Sequence, residues 1–366
     1  MDVTSATPGA LRTTRPRSAG AIDPARSFTE VGRTVREAGL LRRARWFYAS
    51  LGAGLALALA GAATGFVLFG DSWFQLLIAA ALGLIFTQAA FIAHEASHRQ
   101  VLASGPSNDR LGRVLAVLVV GMSYQWWMTK HTRHHGNPNR VGKDPDIDVD
   151  VVAFTPESAA AQTGVFATMT RHQGWLFYPL LLLEGLNLHR HSIVSLLQRR
   201  TVEGRWLELG LLALRFGVYL GLVFWALPLG MAFAFLGVQL AVFGLYMGTS
   251  FAVNHTGMPL IPADARLDFF AKQVRTSRNI SGGFWASALL GGLNYQVEHH
   301  LFPSMARPHL ARARAIVREH CRTHDIAYTE TSLASAHAAV VRHMHRVGLA
   351  AGDPFFCPLV AQFRRA

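Results

Sequence analysis

All 17 histidines of the 366-residue chain lie at or after position 94, and those best suited to metal chemistry fall into clusters. His94-Glu95-Ala96-Ser97-His98 forms an HxxxH box, His131-Thr132-Arg133-His134-His135 an HxxHH box, and Gln296-Val297-Glu298-His299-His300 a QxxHH box. On a helix, residues three or four apart share a face. His94 and His98 would then present two imidazoles side by side, and His131, His134 and His135 three within one arc. Imidazole ligates Zn, Cu, Fe and Ni, so ligand type does not name the metal, but ligand number narrows the choice. One tetrahedral zinc takes three or four ligands, and seven clustered histidines fit two metals better. Scattered histidines such as His309, His320, His324, His337, His343 and His345 are expected to be solvated side chains.

The elements that must position these boxes are apolar and long. Trp46 to Ala93 is 48 residues with one charge, Asp71, and as a single helix would be about 72 Å, too long for a ~30 Å bilayer core. It is expected to fold as a hairpin turning at Gly70-Asp71-Ser72, with Trp46, Tyr48 and Trp73 at the interfaces. Trp206 to Val253 repeats the plan, with its break at Pro228-Leu229-Gly230. The predicted spans are 47–69, 73–93, 207–227 and 231–253. The first hairpin ends at His94 and the second at Asn254-His255. Each is followed about 40 residues later by a His-His pair, which predicts His255 as an eighth ligand. Asn254 could orient a metal-bound water, or simply end a helix.

Parity then constrains the shorter apolar stretches. If Val114–Thr129 crossed the membrane, His131 would lie ~30 Å from His98, and no shared site could form. This stretch and Leu176–Leu183 are therefore expected to be re-entrant or interfacial. Arg215, inside the third span, is read as snorkelling to the interface or as part of a polar cavity.

Composition agrees with a membrane protein. The chain is 51% hydrophobic and 16% charged, has a mean hydropathy of +0.24, and carries a net charge of +13. Such basicity could mark nucleic-acid binding, but nine Arg against four acids in residues 1–45, just before the first span, match a cytoplasmic flank. No nucleic-acid partner is expected. The first apolar run starts too late for a signal peptide. The two cysteines, Cys321 and Cys357, suggest neither a disulfide framework nor a thiolate cage. Residues 1–45 are expected to be a largely disordered cytosolic arm ending in a short basic helix, 46–330 the catalytic domain, and 331–366 a cytosolic tail. The fold class is thus all-α and membrane-integral, with four spans as two hairpins and a cytosolic helical cap carrying the metals.

The boxes, with the flanks His135-Gly136-Asn137-Pro138 and His300-Leu301-Phe302-Pro303, resemble those of the membrane fatty acid desaturase family over roughly residues 45–330. The resemblance implies a di-iron centre at the cytosolic membrane surface that uses dioxygen to place a cis double bond in an acyl chain. The chain would be carried as acyl-CoA, acyl carrier protein or lipid. Carried over position by position, the iron ligands would be His94, His98, His131, His134, His135, His299 and His300, with His255 as the additional one. Gln296, where many relatives have His, would bind iron directly or through water; glutamine at this position is shared with front-end desaturases. No His-Pro-Gly-Gly haem motif occurs in the sequence, so electrons are expected from a separate ferredoxin or flavin reductase. Glu95, Asp144, Asp146, Asp148 and Glu298 are candidate acceptors for imidazole N–H groups. Two other reactions share these residues. A hydroxylase would use the same scaffold, and His94–His98 also satisfies the HExxH signature of a zinc protease, with Glu95 as general base.

Overall fold

The computed structural model describes residues 24–148, 151–198 and 202–350. The first 23 residues of the expected arm and the end of the expected tail, with Cys357, lie outside them. In chain order the helices begin with α1 (Pro24–Glu37), α2 (Arg45–Phe69), α3 (Gln75–Ser97) and α4 (Gly105–Arg113). A π-helix (Val114–Val120) leads to α5 (Tyr124–Gly136), α6 (Pro156–Ala160), α7 (Gly164–Arg171), α8 (Gln173–Leu181) and α9 (Glu184–Gln198). There follow α10 (Arg205–Ala226), α11 (Leu229–His255), α12 (Phe269–Thr276), strand β1 (Arg278–Ile280) and α13 (Gly283–Leu289). A 3₁₀ turn (Leu293–Tyr295) opens α14 (Gln296–Leu301), and α15 (Arg307–Thr323), β2 (Thr329–Thr331) and α16 (Leu333–Ala350) complete the order.

Four helices, α2, α3, α10 and α11, are long and apolar enough to cross a membrane. At the α2–α3 turn Gln75 donates to the carbonyls of Phe66 and Gly70 at 2.7 Å each, satisfying backbone acceptors at a helix end. α11 lies along α3 at close range. A Cβ on Gly83 would come within 2.9 Å of the Gln239 carbonyl and Val242, so only glycine permits this approach. Both α3 and α11 continue past the predicted ends of their spans, carrying His94 and His255 within the helix rather than in a loop.

Four expectations change. Val114–Thr129 is not one helix. Gly121 adopts φ +92°, and Ser123 caps α5 by accepting from the Trp126 amide, so apolar length concealed a break. The fold is predominantly rather than wholly helical, because β1 and β2 pair in parallel with Asn279 opposite Glu330. β2 crosses the boundary expected at 330, and α16 packs on α8 and α11 with Val340 and Met344 buried against Phe177 and Leu181, so the chain through residue 350 belongs to the folded unit. The last part of the expected arm likewise packs: Val31 and Val35 of α1 are buried against Tyr295, Leu301 and Phe302.

Candidate metal centre

Four helices end at one place and each delivers histidine there. His94 and the cap residue His98 come from α3, His134 and His135 from the last turn of α5, His255 from the end of α11, and His299 and His300 from α14. His131 lies one turn earlier on α5. A helix C-terminus carries about half a negative charge on its free carbonyls, so converging ends favour cations before any side chain is counted.

The eight imidazoles form two adjacent groups. His94, His98, His131, His135 and His299 bring their ring nitrogens within 4.8 Å of one another, and so do His134, His255 and His300. The Nε2 of His131 lies 3.0 Å from that of His94 and 2.8 Å from that of His98. In the second group the Nε2 of His255 is 3.3 Å from His134 and 3.1 Å from His300. The rings of His135 and His300 stack at 4.2 Å and join the groups. Gln296 completes the second group: its Nε2 atom lies 2.8 Å from His255 Nε2, while its Oε1 is buried without a partner. Asn254 turns its amide back to the Ser250 carbonyl at 3.2 Å, with Oδ1 buried and unpartnered.

Outer hydrogen bonds fix which nitrogen faces inward. His134 Nδ1 donates to Asp144 at 3.0 Å and lies 3.2 Å from Asp146, His300 Nδ1 donates to Gln273 at 2.9 Å, and His255 Nδ1 donates to the Thr276 carbonyl at 2.9 Å. Each leaves Nε2 as a lone-pair donor toward its group. Burial, then the neighbouring imidazoles, hold His131, His135, His299 and His300 well below the usual histidine range, and burial takes His98 to about 3. Burial opposes charge on His134 too, but Asp146 and Asp144 outweigh it and raise that group. A set of inward-facing imidazoles, most of them held neutral by burial, with two carboxylates behind His134, can hold metal cations.

The acids near the boxes divide. Asp144 and Asp146 face His134 as expected, whereas Glu95 does not face the imidazole groups. Its two oxygens take Arg307 Nε at 2.8 Å and Nη2 at 2.5 Å, and Tyr48 donates to it at 3.1 Å. A general base held by an arginine cannot accept a proton from a metal-bound water, so this contact removes the HExxH protease reading. Glu298 accepts from Asn279 and Tyr328 at 2.7 and 3.0 Å, and burial raises it to about 7. Asp148 is exposed.

Sequence reasoning missed several partners. Gln273 and Thr276 lie in no motif. Trp127 stacks on His131 at 4.7 Å and 18°, and its placement four residues before His131 on the same helix face was the available signal. Trp127 and His94 line a small apolar slot of about 30 Å³ with Val120, Met247 and Phe251. A larger cavity of about 820 Å³, lined by Leu82, Phe86, Val119, Arg215 and Tyr219, lies farther along the spans. Leu82, Phe86, Ala90 and His94 form one i, i+4 stripe on α3 that rises about 18 Å, so both spaces border the same helix face. Arg215 lines the larger cavity. It donates to the Val119 carbonyl at 3.2 Å, and its guanidinium lies 5.1 Å from the Phe86 ring centre and 4.1 Å from that of Tyr219. It serves the cavity wall rather than snorkelling.

Comparison with known proteins agrees with this site. The fatty acid desaturase family model matches residues 71–332. The Delta(8)-fatty-acid desaturase of Helianthus annuus is 28% identical over 82% of this chain and 68% of its own length. The acyl-lipid (9-3)-desaturase of Borago officinalis is 29% identical over 74% of this chain and 63% of its length. The Delta 8-(E)-sphingolipid desaturase of Komagataella phaffii is 27% identical, over 76% and 55% respectively. The matched part thus spans between about half and seven-tenths of these relatives. With the family match covering most of the folded unit, and the boxes it contains converging on one centre, the chain belongs to the fatty acid desaturase family.

Proposed function

We propose that the protein is an oxygen-dependent desaturase that introduces a cis double bond into the acyl chain of a lipid or thioester, with electrons from a separate ferredoxin or flavin reductase type donor. The observation that carries this reading is the convergence of eight imidazoles in two adjacent groups. Two iron ions fit that donor set. His94, His98, His131, His135 and His299 would hold one, and His134, His255, His300 and Gln296 the other. When bound, they supply the redox chemistry with dioxygen that removal of hydrogen from an unactivated methylene needs and zinc cannot give.

The protein's own residues do the rest. Asp144, Gln273 and the Thr276 carbonyl hold the imidazoles in the tautomer that offers Nε2. The apolar slot at His94 and Trp127 admits carbon chain and excludes bulk water. At about 30 Å³ it is far smaller than an acyl chain, so it must widen by side-chain movement as substrate enters. The Arg-rich flank before α2 supports a cytoplasmic site with both chain ends on that side. The relatives named for fatty acid, acyl-lipid and sphingolipid substrates support an acyl substrate held at the membrane.

The test is expression with a competent donor in a host lacking the activity, followed by mass-spectrometric location of double bonds. New unsaturated lipids that disappear with His131→Ala are expected. Unchanged lipids would overturn the proposal, and hydroxylated chains would redirect it to a hydroxylase on the same scaffold.

A further inference from the structure

A second group of metal-binding side chains lies apart from the eight-histidine centre. His320 and His324 are four residues apart on α15 and its cap, so they share one helix face, and their ring centres are 4.4 Å apart. Glu30 of α1 faces them, and the three offer one ligand atom each within 4.8 Å. His320 Nε2 and His324 Nδ1 are both buried without a hydrogen-bond partner. Two such unpartnered nitrogens side by side on half-buried rings invite a shared ligand. No ion pair within 4.0 Å joins Glu30 to either ring among the described residues, so a simple His–Glu salt bridge does not account for the arrangement.

We propose that Glu30, His320 and His324 form a separate divalent-cation site of the zinc type. The donors are two imidazoles and a carboxylate, the three-ligand set that leaves a fourth, water-filled position on tetrahedral zinc. Bonds of about 2.0–2.1 Å require the three groups to draw inward by roughly an ångström from their present spacing. The elements joined indicate its consequence. α1 is a 14-residue helix held to the cap by few apolar residues, among them Val31 and Val35, which cover Leu301 and Phe302 beside His299 and His300. An ion shared by α1 and α15 couples the docking of α1 to metal binding, and so secures the cover over the third histidine box.

The test uses the full-length purified protein with its eight-histidine centre loaded, equilibrated with micromolar zinc and freed of unbound metal. Wild type is expected to hold one zinc that the variants His320→Ala and His324→Ala lose, their zinc affinity falling at least about tenfold, while the metal content of the main centre is unchanged. Zinc should also raise the thermal midpoint of the wild type but not of the variants. Glu30→Gln, at a partly exposed position, provides a substitution that leaves both rings in place and should weaken zinc in the same direction. The proposal is overturned if wild type takes up no extra zinc, or if zinc uptake and the thermal response survive all three substitutions.

Discussion

Glu95→Gln separates a structural from a catalytic role for the acid in the first box. Glu95 is 2% exposed and its partner Arg307 5% exposed, joined by two hydrogen bonds of 2.8 and 2.5 Å across 212 residues of sequence. Removing one member of such a pair leaves a buried, uncompensated charge, at about 3–5 kcal/mol. At roughly 2 °C per kcal/mol for a chain of this size, the thermal midpoint should fall by about 6–10 °C. Tyr48, whose single O–H is shared between Glu95 and Gln100 and whose oxygen accepts from the Arg307 amide, keeps Gln100 and Arg307 as partners, so the larger figure is an upper bound. Replacing both charges, as Glu95→Met with Arg307→Met, should recover most of the loss, since an apolar pair of similar volume is often neutral or better. The assay is thermal unfolding of detergent-purified single and double variants, paired with desaturation measured well below the lowered midpoint. Activity should persist there in Glu95→Gln. A variant as stable as wild type but wholly inactive would refute the reasoning and return Glu95 to the reacting centre.

Asp144→Asn should weaken metal retention about 10- to 100-fold, read as iron per chain after dialysis, because His134 loses the acceptor that fixes its tautomer. The metal-free protein should be acid-labile. His98, near 3 when folded and 6.5 when unfolded, and the neighbouring imidazoles held well below 6.5 bind fewer protons folded than unfolded. Their stabilisation is complete above pH 6.5 and lost as pH falls through the folded values, so thermal midpoints of chelated protein should drop steeply below pH 6.5. Phe86→Ala or Arg215→Leu should open the slot at His94 into the 820 Å³ cavity and shift product lipids toward longer chains. An unchanged chain-length profile in both variants would count against Phe86 and Arg215 as the stop.

The convergence of the histidine boxes was legible because residue type and helical spacing are local properties, and that of His255 because its position repeats that of His94 at the end of a 48-residue apolar segment. The roles of the acids were not. Glu95 and Asp144 both sit beside a box, and only tertiary packing decides that Arg307 claims one and His134 the other. Gln273 and Thr276 act through a single outer hydrogen bond each, which leaves no pattern in sequence. Length alone misjudged Val114–Thr129, since the break depends on one positive-φ glycine. The packing of α1, expected only as a short basic helix, and the helix α16 were hidden by charge and by buried faces only a few residues wide. The paired strands β1 and β2, three residues each, are too short for an alternation to register.

The division of eight histidines into two metal-holding groups is tested most directly by elemental analysis of the purified full-length protein beside two single variants. About two irons per chain are expected in wild type, with His131→Ala and His255→Ala each reducing that content through a different group. A chain holding zinc but no iron, or iron unchanged by both substitutions, would contradict the di-iron centre.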